Sequence, residues 1–227
     1  MQQQSDLFGQ DDNEAPLAIG PGAFCFKGVI AQDAAEILQA VKHVVAKARF
    51  RHLTTPGGRR MSVAMSNCGL QGWVSDHAGY RYQATDPITG QPWPDMPEVL
   101  LATARSLARR AGYDNFNPDV CLINRYRAGD RMGLHQDKDE GNVTAPIVSL
   151  SLGMPATFIW GGLQRTGPTQ RFVLEHGDAV VWGGEDRLRF HGVAPLKAGE
   201  HPLTGKCRIN ITFRQTGSVK HAVTEAR

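Results

Sequence analysis

The feature that most constrains the fold is a succession of short segments, rich in β-branched and aromatic residues, that begins after residue 118. Turns containing pairs such as Gly161 and Gly162 or Gly183 and Gly184 separate them. The segments are residues 119–126, 147–152, 156–160, 171–174, 178–182, 188–191 and 207–213. Many short strands at this spacing are typical of an antiparallel sandwich, jelly roll or barrel.

Two amphipathic stretches precede these strands. Asp33 begins the first, with Glu36 as a capping-box partner, and its apolar positions keep helical spacing to about residue 48. Asp95 and Glu98 repeat the arrangement before a second helix that stops at Gly112. Two helices ahead of a series of strands predict an α+β fold in which the helices pack on one sheet.

The stretch between the two helical patterns, residues 51–95, is rich in glycine and proline, with tryptophan and tyrosine interleaved. Long irregular segments with aromatic residues are more often binding loops or lids than plain connections. We therefore expect a substrate-gripping lid here, inside a single domain that spans residues 15–215. Residues 1–14 are expected to be disordered and residues 216–227 to form a flexible tail, since both ends are polar.

The composition is ordinary for a globular protein, with 41% hydrophobic and 21% charged residues. No apolar run is long enough to cross a bilayer, and no signal peptide is visible, so we expect no membrane association. The four cysteines form no CxxC pair, which favours buried free thiols and a cytoplasmic location. Nothing in the sequence requires more than a monomer.

Two His-x-Asp patterns occur, and they differ in their surroundings. His176 and Asp178 flank a glycine between two apolar strands, so a turn closed by the aspartate side chain explains them. His135 and Asp137 lie in a polar segment, where alternate residues of an extended chain point the same way. With His191, they offer the two imidazoles and one carboxylate of a non-haem Fe(II) site. A zinc site, or three unrelated surface residues, is an open alternative at this point.

The last strand alternates strictly. One face carries Arg208, Asn210, Thr212 and Arg214, and the other carries Cys207, Ile209, Ile211 and Phe213. Two arginines inside a barrel would be unfavourable unless they met carboxylates, and a diacid ligand supplies two. In the strand 119–126, Leu122, Asn124 and Tyr126 also share a face. Periodicity alone is equally compatible with the polar faces pointing outward into solvent.

Longer matches run through the chain from about Pro16 to Gln215. They are residues 54–58 (TTPGG), 61–65 (MSVAM), 67–69 (NCG), 121–126 (CLINRY), 134–139 (LHQDKD), 174–178 (LEHGD) and 208–214 (RINITFR). In these motifs the chain resembles the AlkB family of nucleic-acid dealkylating dioxygenases, and closely its bacterial DNA-repair members. The resemblance implies a double-stranded β-helix, or jelly roll, in which residues 51–95 are a nucleotide-recognition lid.

The resemblance also implies an activity. The reaction would be oxidative demethylation of 1-methyladenine and 3-methylcytosine in DNA, with Fe(II), O2 and 2-oxoglutarate, releasing formaldehyde, succinate and CO2. Such cationic lesions block base pairing and are therefore easier to extrude than a sound base. The alternative is an oxygenase of the same fold that acts on RNA, a protein or a small metabolite.

The resemblance further implies roles for single residues at the reaction centre. His135, Asp137 and His191 would bind Fe(II). The cosubstrate would be bound by Leu122, Asn124, Tyr126, Arg208, Asn210 and Arg214. Among these, Arg208 with Tyr126 and Asn210 would hold the distal carboxylate of 2-oxoglutarate. Arg214 and Asn124 would position the end that chelates iron.

The nucleotide would meet a second group of residues. Trp73 would stack on the damaged base, with the His135 ring on the other face. Tyr80 and Arg165 would contact the nucleotide, and Met65 would line the pocket. Asp139, which we group with the three metal ligands at the catalytic centre, would accept a hydrogen bond from the exocyclic amine of the base.

Overall fold

The computed structural model describes residues 15–217, which form an antiparallel jelly roll with two helices. In chain order the elements are β1 Leu17–Gly20, β2 Ala23–Phe26, α1 Ala34–Lys47, β3 Arg51–Thr54, β4 Arg60–Gly69, β5 Gly72–Asp76, β6 Gly79–Gln83, α2 Glu98–Arg110, β7 Val120–Tyr126, β8 Met132–His135, β9 Ile147–Gly153, β10 Ala156–Trp160, β11 Gln170–Leu174, β12 Ala179–Trp182, β13 His191–Val193 and β14 Arg208–Arg214. The predicted α+β class is confirmed.

Two sheets form the sandwich. The larger has eight strands in the order β1-β2-β12-β9-β14-β7-β4-β3, and the smaller has the order β11-β10-β13-β8. The outer face of the larger sheet packs on both helices, where Ile209, Ile211 and Phe213 of β14 join one buried apolar cluster with Ile37 and Leu100. Burying each such side chain stabilises the fold by roughly 1.5–3 kcal/mol. The predicted packing of the helices on one sheet is confirmed.

The space between the two sheets holds a second apolar cluster, which includes Phe158, Trp160 and Trp182. Because the outer side chains of β14 face the helices, the alternate side chains point into this interior. Arg208 and Arg214 are accordingly 1% and 6% exposed. The interpretation that placed the polar face in solvent is therefore wrong.

Residues 51–95 are more regular than the sequence predicted. β3 and β4 extend the larger sheet, and β5 and β6 form a separate hairpin. The glycines stand at strand ends, where Gly69 and Gly79 take φ angles of +115° that other residues avoid. The density of glycine therefore marked turns and strand ends, and within this stretch only residues 55–59, 70–71, 77–78 and 84–95 lie outside the strands.

Other boundaries also differ from the predictions. Asp33 forms no capping hydrogen bond, and α2 begins at Glu98 after Pro97, so Asp95 lies outside it. A short 3-10 turn, Gly184–Asp186, precedes β13, which begins at His191 and does not end there. β8, which carries His135, was not predicted.

Three of the four cysteines are buried and all four are free thiols, while Cys207 is partly exposed. Within residues 15–217, neither helix combines the length and the apolar character needed to cross a membrane. The predicted disordered N-terminus and residues 218–227 of the predicted tail lie outside the described residues. Thr216, the first residue of that predicted tail, is buried and donates two 2.7 Å hydrogen bonds to the Asp119 carboxylate.

Candidate active site

Three side chains converge between the sheets where β8 pairs with β13. His135 ends β8 and lies directly opposite His191, the first residue of β13. Asp137 follows two residues later, with its Oδ1 3.7 Å from Nε2 of His135 and its Oδ2 3.9 Å from Nε2 of His191. Across residues 15–217, no other three His, Cys, Asp or Glu side chains gather closely enough to hold a metal. The sequence-predicted triad is thus brought together.

Both histidines are oriented by the main chain. Nδ1 of His135 bonds the carbonyl of Gly133 at 2.9 Å, and Nδ1 of His191 bonds that of Arg189 at 3.0 Å. Each Nε2 is therefore directed at the shared centre, as backbone partners commonly arrange for metal-binding imidazoles. Burial, followed by the neighbouring His135, lowers the pKa of His191 to about 4. Its ring is neutral at pH 7, the form that binds a metal.

Asp137 is held as a carboxylate. Burial alone would raise its pKa, but Arg214 and the two histidines outweigh this effect and keep the pKa well below its usual range. Two imidazoles and one carboxylate in a single small volume match the donor set that Fe(II) takes in non-haem oxygenases. The residues present fit this metal.

The second His-x-Asp pattern has a structural role, as predicted. The Asp178 carboxylate accepts hydrogen bonds from the N–H groups of Gly28 and Glu175, at 2.8 and 2.7 Å, and forms an ion pair with Lys27. His176 accepts a hydrogen bond from the N–H of Gly153 at 3.0 Å. These contacts close the turn between β11 and β12 and hold it against its neighbours.

Arg208 is a buried cation that has no carboxylate partner among the described residues. Its Nη2 donates to Ser151 Oγ at 2.9 Å, and its guanidinium lies over the Tyr126 ring at 5.2 Å. Its Nε and Nη1 have no hydrogen-bond partner. Burial lowers its pKa. A buried arginine with two unused donors is the partner that a ligand carboxylate needs, so the residues present also fit an acidic cosubstrate.

Arg214, the last residue of β14, contacts the triad directly. Its Nη2 and Nε donate to Asp137 Oδ2 at 2.9 and 3.2 Å, while its Nη1 is buried without a partner. The carbonyl oxygen of the Asn124 side chain is also unpartnered. Asn210 differs, because its amide donates to Ser149 Oγ and to the carbonyl of Leu150 at 2.8 and 2.9 Å.

The residues predicted to meet a base gather at the β5–β6 hairpin, Gly72–Gln83, which we call the recognition hairpin. The rings of Trp73 and Tyr80 stack with centroids 5.5 Å apart and 13° between their planes. Trp73 Nε1 donates to Asp139 Oδ2 at 3.2 Å. Met65 is buried on β4, opposite Asn124. Arg165 is exposed in the loop after β10.

Three functional candidates escaped the sequence analysis. Tyr82, Glu140 and Arg187 form a buried network beside the triad, in which Arg187 lies 3.1 Å from Glu140 and the Tyr82 hydroxyl donates to Glu140. Two of the three lie in irregular segments, where no periodicity reveals which side chains point inward. Only the proximity of Glu140 to the His-x-Asp segment could have suggested it.

Comparison with known proteins agrees with this geometry. The 2OG-Fe(II) oxygenase superfamily matches residues 22–214. The chain is 52% identical to the Alpha-ketoglutarate-dependent dioxygenase AlkB of Salmonella typhimurium over 92% of this chain and 97% of that protein. It is 50% identical to the protein of the same name from Escherichia coli over 93% and 98% of the two chains. The solved structure of OsALKBH1 is similar, with a TM-score of 0.76 at 29% identity, covering 88% and 100%.

Proposed function

Because the chain belongs to the 2OG-Fe(II) oxygenase superfamily, and within it to the AlkB family, it is an Fe(II)- and 2-oxoglutarate-dependent dioxygenase, and we propose that it repairs DNA by oxidative demethylation of alkylated bases. The observation that carries the proposal is the aromatic stack of Trp73 and Tyr80, hydrogen-bonded to Asp139 two residues beyond the Asp137 carboxylate. This arrangement suits a flat, cationic base next to a metal triad.

His135, Asp137 and His191 would hold the Fe(II). With 2-oxoglutarate bound, the metal activates O2 and supplies the oxidising power for attack on an N-methyl group. The protein side chains keep this centre fixed: the carbonyls of Gly133 and Arg189 orient the two rings, and Arg214 orients the carboxylate. Fixing ligand orientation in this way preserves the open positions that the reactants need.

Arg208 would bind the distal carboxylate of 2-oxoglutarate through its unused Nε and Nη1, with Tyr126 beneath the guanidinium. Arg214 would position the other end through its buried, unpartnered Nη1, and Asn124 would help to position the same end. Leu122 would line the same cavity, and Asn210 would hold Asn124 in place through their 3.3 Å side-chain hydrogen bond. The interior otherwise offers apolar walls, which exclude water from the reaction.

The damaged base would enter between Trp73 and the triad. Stacking on the indole would hold its plane, Met65 would line the pocket, and Asp139 would accept a hydrogen bond from the exocyclic amine and attract the positive ring. Tyr80 is 48% exposed and can reach a nucleotide. Arg165, exposed in the loop after β10, would contact the nucleotide from that loop.

The flanking phosphates would meet the basic residues around β3 and β4, where Arg59 and Arg60 stand exposed in and next to the turn. Contacts of this kind position a strand without reading its sequence. RNA is a second candidate substrate, since phosphate contacts and base stacking serve it equally well. The protein would act as a monomer in the cytoplasm, which four free thiols suit.

Anaerobic reconstitution tests the proposal directly. The protein is loaded with Fe(II) and 2-oxoglutarate and then given air and a DNA oligonucleotide that carries 1-methyladenine. We expect formaldehyde and succinate in equal amounts, and no formaldehyde from the unmethylated strand. Iron-loaded protein that releases neither product would contradict DNA repair. The same lesion in RNA, assayed in parallel, measures the second candidate.

Asp139→Ala should lower the activity on cationic lesions while leaving the metal in place. A lost charge-assisted hydrogen bond is worth about 1.5–3 kcal/mol. We therefore expect kcat/KM for 1-methyladenine and 3-methylcytosine to fall by about 10- to 100-fold, and less for a neutral methylated base. Iron content should be unchanged.

Asp130→Ala is the matched control, because this carboxylate accepts the N–H of Arg127 in the turn before β8, at 2.8 Å, away from the recognition hairpin. In this variant the ratio of kcat/KM for cationic lesions to kcat/KM for a neutral methylated base should be the same as in the wild type. An Asp139→Ala variant with the same ratio would show that this carboxylate does not select the base.

A further inference from the structure

Glu140 is a buried carboxylate that the metal triad and the two cosubstrate arginines do not explain. It is 4% exposed, and burying a carboxylate is unfavourable unless partners surround it. Arg187 Nη2 lies 3.1 Å from its Oε2, Arg214 Nε lies 3.1 Å from its Oε1, and the Tyr82 hydroxyl donates to Oε1. Each of its partners comes from a different element, so Glu140 joins separate parts of the site.

The contact with Arg214 reaches the reaction centre. The same Nε that lies beside Glu140 also donates to Asp137 Oδ2 at 3.2 Å. The guanidinium is thus held between two carboxylates, and its Nη1 is buried without a hydrogen-bond partner. Without Glu140 it would be fixed on one side only and could rotate about its contact with Asp137. The direction of its free donor therefore depends on Glu140.

The contact with Tyr82 reaches the recognition hairpin. Tyr82 stands on β6 directly opposite Trp73 of β5. Burial raises the pKa of Tyr82, so its hydroxyl stays protonated and serves as a donor. The hairpin is not paired with either large sheet. Several side-chain hydrogen bonds attach the hairpin instead. The Asn67 side chain bonds the backbone of Trp73 at 3.0 and 3.1 Å, and the Ser75 hydroxyl donates to the carbonyl of Thr54 at 2.7 Å. The Tyr82 hydroxyl adds the attachment to Glu140.

We propose that Tyr82 and Glu140 are positioning residues that couple the seating of a base on the recognition hairpin to the orientation of Arg214, and thereby to 2-oxoglutarate binding. A shift of Trp73 moves its cross-strand partner Tyr82, which moves or frees Glu140. Coupling of this kind is reciprocal, so bound 2-oxoglutarate also favours the base-ready hairpin. The inference rests on the proposed function in one respect: it assumes that the ligand that moves the hairpin is a nucleotide.

The first test needs no nucleic acid. The dissociation constant of 2-oxoglutarate is measured by calorimetry with Mn²⁺ in place of iron, so that no turnover occurs. Glu140→Gln keeps the shape and removes the charge, and we expect about 10-fold weaker binding, as is usual when an orienting partner of a metal site is lost. The control is Glu175→Gln. The Glu175 side chain is 65% exposed and forms an ion pair with Lys27 at 3.5 Å, so this variant should bind 2-oxoglutarate with wild-type affinity. Equal affinity in all three proteins overturns the role of Glu140.

The second test measures the coupling itself. The affinity for 2-oxoglutarate is compared with and without a 1-methyladenine oligonucleotide, again with Mn²⁺. In the wild type we expect the oligonucleotide to raise the affinity for 2-oxoglutarate by about 5-fold or more, a value typical of coupled sites. In Tyr82→Phe the ratio of the two affinities, with and without oligonucleotide, should be near one. Tyr113→Phe is the control, since it also removes a hydroxyl donor, in this case from the loop after α2, where the Tyr113 hydroxyl donates to the carbonyl of Gly22 at 2.8 Å.

The variants separate positioning from stability. Both tyrosine variants lose one hydrogen bond and should unfold at similarly lowered temperatures. Only in Tyr82→Phe should the oligonucleotide no longer raise the affinity for 2-oxoglutarate. A wild-type ratio of one, or an unchanged ratio in Tyr82→Phe, overturns the coupling. Tyr82→Phe also keeps the inference testable if Glu140→Gln does not fold. Wild-type protein that binds 2-oxoglutarate but releases no formaldehyde from methylated DNA would instead contradict the proposed function, and the first test would stand unaffected.

Discussion

Asp137→Ala is expected to abolish formaldehyde release. This carboxylate is the only anionic donor of the triad, and it also accepts two hydrogen bonds from Arg214. Loss of a residue that hydrogen-bonds to a metal ligand already lowers metal affinity or activity by about 10- to 100-fold. Loss of the ligand itself should have a larger effect. The measurement is iron content after desalting, together with formaldehyde release under saturating Fe(II).

The other His-x-Asp pattern supplies the control. Asp178→Asn changes a carboxylate that holds a turn through the N–H groups of Gly28 and Glu175. It should lower the free energy of unfolding by about 2–3 kcal/mol, because hydrogen bonds to a charged group are weakened. Its iron content should stay normal. An Asp137→Ala protein that retains both iron and activity would place the metal elsewhere.

Arg208→Met is expected to lose 2-oxoglutarate binding without loss of the fold. The guanidinium is buried, and the described residues offer it no carboxylate. Replacing buried charge with an apolar side chain of similar size is often neutral or stabilising by about 1–4 kcal/mol. The ligand-free variant should therefore melt at the same or a higher temperature. The KM for 2-oxoglutarate should rise by about 100-fold or more, since the distal carboxylate would be left buried and unpaired.

Arg125→Met is the natural comparison. Arg125 lies opposite Ile209 on the outer face of the same sheet, with its guanidinium over the Phe50 ring. Both variants remove one arginine from adjacent strands, but only Arg208 faces the cavity. Thermal melts with and without 2-oxoglutarate measure the difference: the stabilisation by ligand should persist in Arg125→Met and vanish in Arg208→Met. Persistence in both would show that another group binds the distal carboxylate.

The sequence predicted the parts of the fold in which side chains alternate in a regular way. β14 alternates strictly between polar and apolar side chains, β7 does so in part, and the bounds of both strands were predicted to within one residue. Their inward orientation could not be derived from periodicity, because both faces are continuous. The fold decides it: the helices cover the apolar face, and the arginines are left between the sheets.

The candidate site was predictable where a motif is local. His135 and Asp137 are two residues apart, and the family motifs linked them with His191. The network of Tyr82, Glu140 and Arg187 is assembled over long separations, since Tyr82 and Glu140 lie 58 positions apart in the sequence. Its members converge only after the hairpin, the polar segment and the turn before β13 are packed. Physical proximity of this kind leaves no pattern in a single sequence.

The three proposed iron ligands are unequally accessible. The side chain of His135 is 38% exposed, whereas those of Asp137 and His191 are 7% exposed. Metal exchange would therefore be one-sided: an ion would enter and leave past His135, on the side of the cavity where the damaged base is proposed to bind. A chelator should strip iron from the free enzyme by this route, and a bound nucleotide should slow the loss by covering it. A bound, damaged strand would thus help the enzyme that repairs it to retain its iron.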